Sequence, residues 1–547
     1  MDRREVLRVL IKQDREYKTD PESPSLSAAD FIQNVCRHTS LTGAQIENVS
    51  RLKDLADRST PGLGLTVTES ARIIPETIVL ESGHQPNFLP HCGTWKKAFM
   101  LDRICRRIRE TGVPVIAFFG FADQNQSTAR LLTRNFLPDL SKTGSKVIGF
   151  RIKEPDTERG FRFQEKPSMD SWKEKMDLLH RHYQNMIARA DPEGTIGPRL
   201  SVLREILEVS YANAENFADL NARVFAKVSR DIFGLDLNFF RYSDLFAGDM
   251  FLEESRSLLQ KFTEFNIIYN RSIREHCLGI PSALEGELPF WYHCACGRKL
   301  GIQVSESLTG ELLCPDCSRK YFLDFGNNFE SLEDHYRNMD FKAVTRELVV
   351  PEALGDSLFI AGLGGSLEYG KISDEIAGTL ALHRPLIASW QSKDYYLGIA
   401  HAIALSDMIK TFSLDPADLE SHVCFEKADV MIKTLNDDIN HCLAESIDQK
   451  NKDVFTLKRR LNSFETLLSS ARGIFSLRPS AFDVFANCRA ENLPVLWDAA
   501  LGRSSIVREG DRYTFNSDIC YPPELLLAIS REKIPAIYKS LRQPEKE

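Results

Sequence analysis

Apolar and polar positions along the chain change period several times, and each change predicts an element. Thr77-Ile78-Val79-Leu80 is a short apolar run ending in Glu81-Ser82-Gly83, which predicts a strand. Beyond the loop His84-Gln85-Pro86-Asn87-Phe88-Leu89-Pro90-His91-Cys92-Gly93, the residues Ala98, Leu101, Cys105 and Ile108 recur at helical spacing, and Gly112 stops the helix. Val113–Phe119 is then nearly continuous in apolar residues, as expected of a strand covered on both faces. Strand, loop, helix and strand in this order form a βαβ unit, whose handedness implies parallel strands. Ser357–Ala361, the turn Gly362-Leu363-Gly364-Gly365-Ser366, a helix from about Leu367 to Leu380 and the strand Leu386–Ser389 predict a second unit in the same sheet. Leu237–Phe240 is a further candidate strand.

The remaining segments read as additions to that core. Residues 156–190 are charged and read as a surface excursion, and helical patterning returns from Leu203 to Phe233. Near the carboxyl end, Val454, Leu457, Leu461, Phe464, Leu468 and Ala471 alternate three- and four-residue steps, the seam of a coiled coil. Ile432, Leu435, Ile439, Leu443 and Ile447 supply its antiparallel partner. Such a hairpin either packs on its own domain or joins two copies; a homodimer through the coiled coil is the expectation. The organisation predicted is an N-terminal helical region (1–75), the first part of a Rossmann-like core with a helical insertion (76–287), a zinc-ribbon insertion (288–325), the second part of the core (326–414), a helical coiled-coil hairpin (415–475) and a C-terminal segment (476–547). The fold class is α/β.

Composition narrows the function classes. With 43% hydrophobic residues and 33 Phe among 547 residues, the chain has material for several buried cores, which excludes a disordered scaffold. Its net charge of −8 argues against a general nucleic-acid or anionic-membrane partner. The opening Met1-Asp2-Arg3-Arg4 and the charged residues that follow do not make a signal peptide, and no stretch approaches a membrane span, so a cytoplasmic protein is expected.

Chemistry concentrates in three places. Four of the 12 cysteines crowd into Cys294-Ala295-Cys296 and Cys314-Pro315-Asp316-Cys317, separated by 17 residues. Two knuckles offering soft ligands predict a structural zinc ion, with a filled tetrahedral shell that leaves no open position for substrate. His293-x-x-Cys296 has the commoner spacing, so the fourth ligand is either Cys294 or His293 beside Cys296, Cys314 and Cys317. The second place is the loop after the first strand. Gly83 permits a tight exit there, and Gln85, Asn87, His84 and His91 bring polar side chains to a sheet edge where ligands bind. His84 and His91 are candidates for acid–base work or phosphate stabilisation, and Lys97 with Lys96 on the following helix favours an anion. The third is Gly362, Gly364 and Gly365 with Ser366, a turn that lets a ligand approach the backbone and can cap the next helix. It is neither a Walker A loop nor a complete G-x-G-x-x-G. Asp123, beyond the strand ending at Phe119, lies at the same kind of edge and is a candidate to hold a substrate amine.

Gly83-His84-Gln85, the apolar strand and Asp123 together resemble the front half of the cysteine-adding enzymes of bacillithiol synthesis, the BshC family. Ser210–Asp219 with Leu235-Asp236-Leu237, Thr345–Pro351, and Ile360–Tyr369 resemble its later motifs, and the helical hairpin with Ile474-Phe475 follows in the expected order. The resemblance implies a Rossmann-like core, inserted segments and a dimerising coiled coil. It also implies a reaction that adds cysteine, through a new amide, to an amino-sugar acceptor, with ATP or another nucleotide for activation. It adds Tyr369 to the candidate binding residues. Where the family carries a Gln-Gln pair this chain has His84-Gln85, the acidic cluster is reduced to Ala122-Asp123-Gln124-Asn125, and a glutamate is replaced by Ser366 with Glu368 nearby. His84–Pro90 with Gly93 and Lys97 also resembles the opening motif of WbqC-like glycan-biosynthesis proteins. The expected function is therefore an amide-forming ligase acting on amino-sugar and amino-acid substrates. Its rivals are a tRNA-synthetase-related nucleotidyl-transferase, faintly suggested by Gly370-Lys371-Ile372-Ser373, and a non-catalytic binding protein.

Overall fold

The computed structural model describes residues 26–521 apart from 38–39, 67–71, 154–155, 191–193, 195, 277–279, 363–364, 416–422 and 445–450. The expectations for residues 1–12, Ile447, Leu363 and Gly364 thus fall outside the described residues.

In chain order the strands are β1 (Ile78–His84), β2 (Val115–Phe121), β3 (Arg134–Pro138), β4 (Ser145–Gly149), β5 (Asn238–Arg241), β6 (Glu287–His293), β7 (Lys299–Gln303), β8 (Thr309–Leu313), β9 (Lys320–Asp324), β10 (Met339–Phe341), β11 (Leu358–Ala361), β12 (Leu386–Tyr395), β13 (Ser505–Glu509) and β14 (Arg512–Cys520). Seven of them form one sheet in the order β5-β2-β1-β11-β12-β14-β13, all parallel except β13. Numbered by appearance, the six parallel strands run 3-2-1-4-5-6, the doubly wound order of Rossmann-like proteins. The order reverses between β1 and β11, the switch point at whose carboxyl ends doubly wound sheets bind their ligands, here termed the crevice.

Two cores explain the continuous apolar strands. Ile78, Leu80, Ala117, Phe119 and Phe121 belong to one, with the helix Cys92–Glu110. Val79, Ile116 and Phe118, the intervening residues, belong to the other, with the helices Gly43–Gly62, Ala343–Leu354 and Gly365–Leu380. Successive strand residues point to opposite faces, so a run apolar at every position is what a sheet between two helical layers needs.

One expectation changes, and two segments gain a place. The charged segment 156–190 is no surface excursion along its whole length. Its helix Met169–Ala190 buries Trp172, Met176, Leu179, Tyr183 and Met186, a 4-3-4-3 stripe hidden among charges. The N-terminal helices pack on the sheet, as Phe31 lies edge-on to Tyr513 and Phe515 of β14 at 4.9 and 5.0 Å. The segment after residue 476 completes the sheet with β13 and β14.

The hairpin consists of Val423–Ala444 and Asn451–Ser476. Its stripes do meet: Leu435, Ile439, Phe464, Leu468 and Ala471 are buried, while Leu443 is 56% exposed. Phe464 also packs on Phe412 of the helix Ile399–Phe412 (5.2 Å), so the hairpin is welded to its own core. The cysteine-bearing hairpins form small sheets of their own, β10-β6-β7 and β8-β9, beside the second core.

A glycine pair shapes the sheet below the crevice. Gly83 and Gly120 are partners across β1 and β2. A Cβ on Gly120 would stand 2.5 Å from Tyr242 Cε2 and 2.7 Å from Phe240 Cζ, and one on Gly83 would stand 2.8 Å from the Gly120 carbonyl. Gly83 therefore serves a close approach inside a strand, not the exit turn expected of it. Gly120→Ala should cost about 1–3 kcal/mol by overpacking. A lowered denaturation midpoint measures that cost, and an unchanged midpoint contradicts it.

Candidate active site

The crevice is built around Lys97, on the second turn of the helix Cys92–Glu110. Its Nζ donates to the Gly83 carbonyl at 2.5 Å, and a Cβ on Gly362 would stand 3.8 Å from the same Nζ. The strand glycine Gly83 and the turn residue Gly362, far apart in the chain, thus meet at one ammonium group. Burial, then the neighbouring Arg346, pushes Lys97 down to about 7, and Glu81 opposes the shift. Arg346 comes from Ala343–Leu354 and stacks over the Tyr242 ring at 5.1 Å. Among the described residues its guanidinium has no hydrogen-bond partner.

Beneath the cations lies a buried acid pair. The Tyr242 hydroxyl, threaded through the slot left by Gly83 and Gly120, donates to Glu81 at 2.5 Å. Glu81 is also within hydrogen-bonding reach of Asp356, whose two oxygens meet no other N–H or O–H donor among the described residues. Two carboxyl groups this close share a proton, and burial raises both from the ordinary range. Glu81 therefore offers Lys97 and Arg346 only part of a counter-charge.

The histidines take a different character from the one sought. His84 Nδ1 lies 2.7 Å from the Gln85 carbonyl, and burial followed by the Lys97 charge pushes the ring down to about 4. His91, the residue before the helix Cys92–Glu110, is pushed down to about 3, first by burial and then by Arg478. Both rings are neutral at pH 7, so the cationic stabilisation considered for them falls to Lys97 and Arg346. Gly93 makes room for His91: a Cβ there would stand 2.9 Å from the imidazole. Asn87 is buried, and its Oδ1 has no partner among the described residues. Lys96 is committed elsewhere, to Asp394 at 2.6 Å and to Ser392.

Gly365 and Ser366 open the helix Gly365–Leu380, which starts its free N–H groups at the crevice. Tyr369, one turn on, packs into the second core on the side of Tyr269. Asp123 is not at the crevice. It is buried one strand over, where its oxygens accept from the Ser243 N–H (3.1 Å) and hydroxyl (2.5 Å), and it lines a cleft of about 410 Å3 with Arg162, Arg241 and Asp244. Tyr242 and Ser243, consecutive in the chain, join the two places. Arg346, Glu81, Asp356 and Asp244 were not anticipated. A lone arginine or a carboxylate within an apolar strand carries no local spacing signal, although Glu81 ending such a run is itself an anomaly.

The structure brings the four cysteines together and leaves His293 outside the group. The four Sγ atoms of Cys294, Cys296, Cys314 and Cys317 lie within 4.8 Å of one another, with Cys294–Cys317 at 3.4 Å and Cys296–Cys314 at 3.6 Å. Zinc–sulfur bonds of about 2.3 Å give tetrahedral edges near ~3.8 Å, so the set fits a metal ion. His293 points away, with Nε2 3.2 Å from Asp340 and its ring 5.4 Å from Phe163. The Tyr321 hydroxyl donates to Cys294 Sγ at 3.2 Å, a bond that favours the thiolate.

Sheet order and crevice define a doubly wound α/β protein carrying a cysteine-ribbon insertion. No protein-family model matches the chain, and no curated protein matches it. Among solved structures, one from Campylobacter jejuni described as a "putative arginyl t-RNA synthetase" is similar at 11% identity, over 90% of this chain and 95% of that one, with a TM-score of 0.25. A likeness of that strength carries no argument about this chain. No helix among the described residues is long and apolar enough to cross a membrane.

Proposed function

We propose that the chain is a small-molecule ligase that forms an amide, holding an anionic group of one substrate at the β1–β11 crevice. The observation that carries this reading is the position of Lys97, bonded to the Gly83 carbonyl at the end of β1 and set against the Gly362 turn, beside Arg346, which has no hydrogen-bond partner among the described residues. Two cations and a helix N-terminus at a switch point suit a phosphate or carboxylate. A lysine titrating near 7 serves both halves of amide formation. Protonated, it stabilises the developing oxyanion; neutral, it takes the proton that the attacking amine must lose. His84 and His91, being neutral, orient substrate by hydrogen bonds. The finer reading is a BshC-like reaction, in which cysteine or another amino acid joins an amino-sugar acceptor, with ATP or another nucleotide supplying activation. Zinc held by the four cysteines is structural in this reading. The exposed Val430, Leu443 and Phe455 on the hairpin are the face a homodimer would cover.

The test is condensation itself. The full-length protein is incubated with ATP, L-cysteine or the other amino acids, and glucosamine-based acceptors. Mass spectrometry should find a product equal to the two reactants less one water, lost in Lys97→Met. Tight retention of a small molecule with no such product would instead define a binding protein.

A further inference from the structure

The 410 Å3 cleft at the carboxyl ends of β2 and β5 is set apart from the crevice by the Tyr242 ring. It falls within the roughly 300–1,000 Å3 of small-molecule sites. Its charges are not paired off. Asp219 is spent on Arg223 (2.9 Å) and Arg241, and Asp123 on Ser243. Arg162, in contrast, makes no side-chain hydrogen bond or ion pair among the described residues, and its buried Nε has no partner. Asp244 also lines the cleft with no ion pair among the described residues, and burial and then Asp123 hold its carboxyl up at about 6. A cation and a carboxyl group thus line one cavity without direct contact, although the Arg241 and Arg162 charges partly offset the rise of Asp244.

The cleft has a built wall. Arg162 and Phe163 belong to the segment pinned to the cysteine knuckle: the Gly160 N–H donates to the Gly297 carbonyl at 2.9 Å. A Cβ on Gly297 would stand 2.7 Å from Phe163 Cβ, so the knuckle packs directly behind that side chain. On the other side Lys299 Nζ, 2.7 Å from Asp340, donates to the Gln124 carbonyl at 3.0 Å, next to Asp123. Asn338 completes the lining, and its carbonyl accepts from the His293 N–H at 2.7 Å. The ribbon therefore holds both rims of the cleft at a fixed separation.

We propose that this cleft binds a dipolar small molecule, its carboxylate on Arg162 and its ammonium on Asp244, with the ribbon as the rigid back wall. The inference rests on the ligase reading only for catalytic meaning, where it names the site of the second substrate; the binding stands on the cleft alone. The experiment scans the twenty free L-amino acids against the full-length protein by thermal shift, then measures the best by calorimetry. At least one should bind, and its N-acetyl and methyl-ester derivatives, each lacking one charge, should bind at least tenfold more weakly. Arg162→Met and Asp244→Asn should each lose at least tenfold in affinity for the same amino acid, while Lys97→Met keeps it. No binding by any of the twenty, equal binding of either derivative, or loss of binding in Lys97→Met would overturn the proposal. Pyrophosphate binding by Arg162→Met reports on the crevice separately, so the two readings fail independently.

Discussion

Stripping metal from the ribbon is expected to unfold β8–β9 and loosen β6–β7 while the doubly wound sheet stays folded. Two-stranded hairpins are marginal alone in water, and β8–β9 leaves Leu313 and Phe322 60% and 64% exposed. Of the pair's apolar side chains only Leu312 and Leu323 are buried, so an ion held by the four cysteines would be the main bond between the knuckles. Structural zinc contributes about 10–16 kcal/mol of apparent binding energy in small ribbons, far more than the local core supplies. Elemental analysis should give one zinc per chain, and none in Cys314→Ser. Hydrogen exchange should then show lost protection across residues 309–324, with weaker losses at 123–125 and 160–163, where Lys299 and Gly297 anchor the ribbon. Unchanged protection in a metal-free sample would show that the cysteines are an unliganded core.

Lys97→Met should weaken anion binding by about tenfold to a hundredfold, the value of a charge-assisted hydrogen bond in a partly dry site. Because the lysine is pushed down to about 7, wild-type pyrophosphate affinity should fall as pH rises through 7, and the variant should lose that dependence. Stability should move the opposite way. In the unfolded chain the amine titrates near its ordinary 10.5, so between 7 and 10.5 the unfolded state binds more protons and wild-type stability rises with pH. The variant should therefore be more stable than wild type below pH 7, with the gap closing towards pH 10.5. Calorimetric titration and denaturant melts measure the two effects. A variant that binds normally, or loses stability at low pH, removes Lys97 from the role assigned to it.

What the sequence disclosed follows from what each signal needs. β1, β2, β11 and the start of β12 announce themselves because burial on both faces demands unbroken apolar runs. In β14, Tyr513 and Phe515 begin a readable alternation, but Asn516-Ser517-Asp518 interrupts it before Ile519. The stripe of Met169–Ala190 was masked in the same way by dense charge on its outer face. The turn after β11 was legible because parallel-sheet rules fix where such turns must lie, whereas the cleft around Arg162 and Asp244 depends on how an insertion packs against an edge strand. No spacing within either segment encodes that packing. Gly83 shows the limit within a single residue, since its glycine character was plain but the Tyr242 ring that requires it lies far along the chain.

The most direct test of the account is a crystal structure of the full-length protein with pyrophosphate. The ion should sit at the β1–β11 crevice within hydrogen-bonding distance of Lys97 Nζ, against the Gly362 turn and the N-terminus of the helix Gly365–Leu380. Pyrophosphate bound elsewhere, or a crevice closed by packed side chains, would contradict the assignment of this crevice as the catalytic centre.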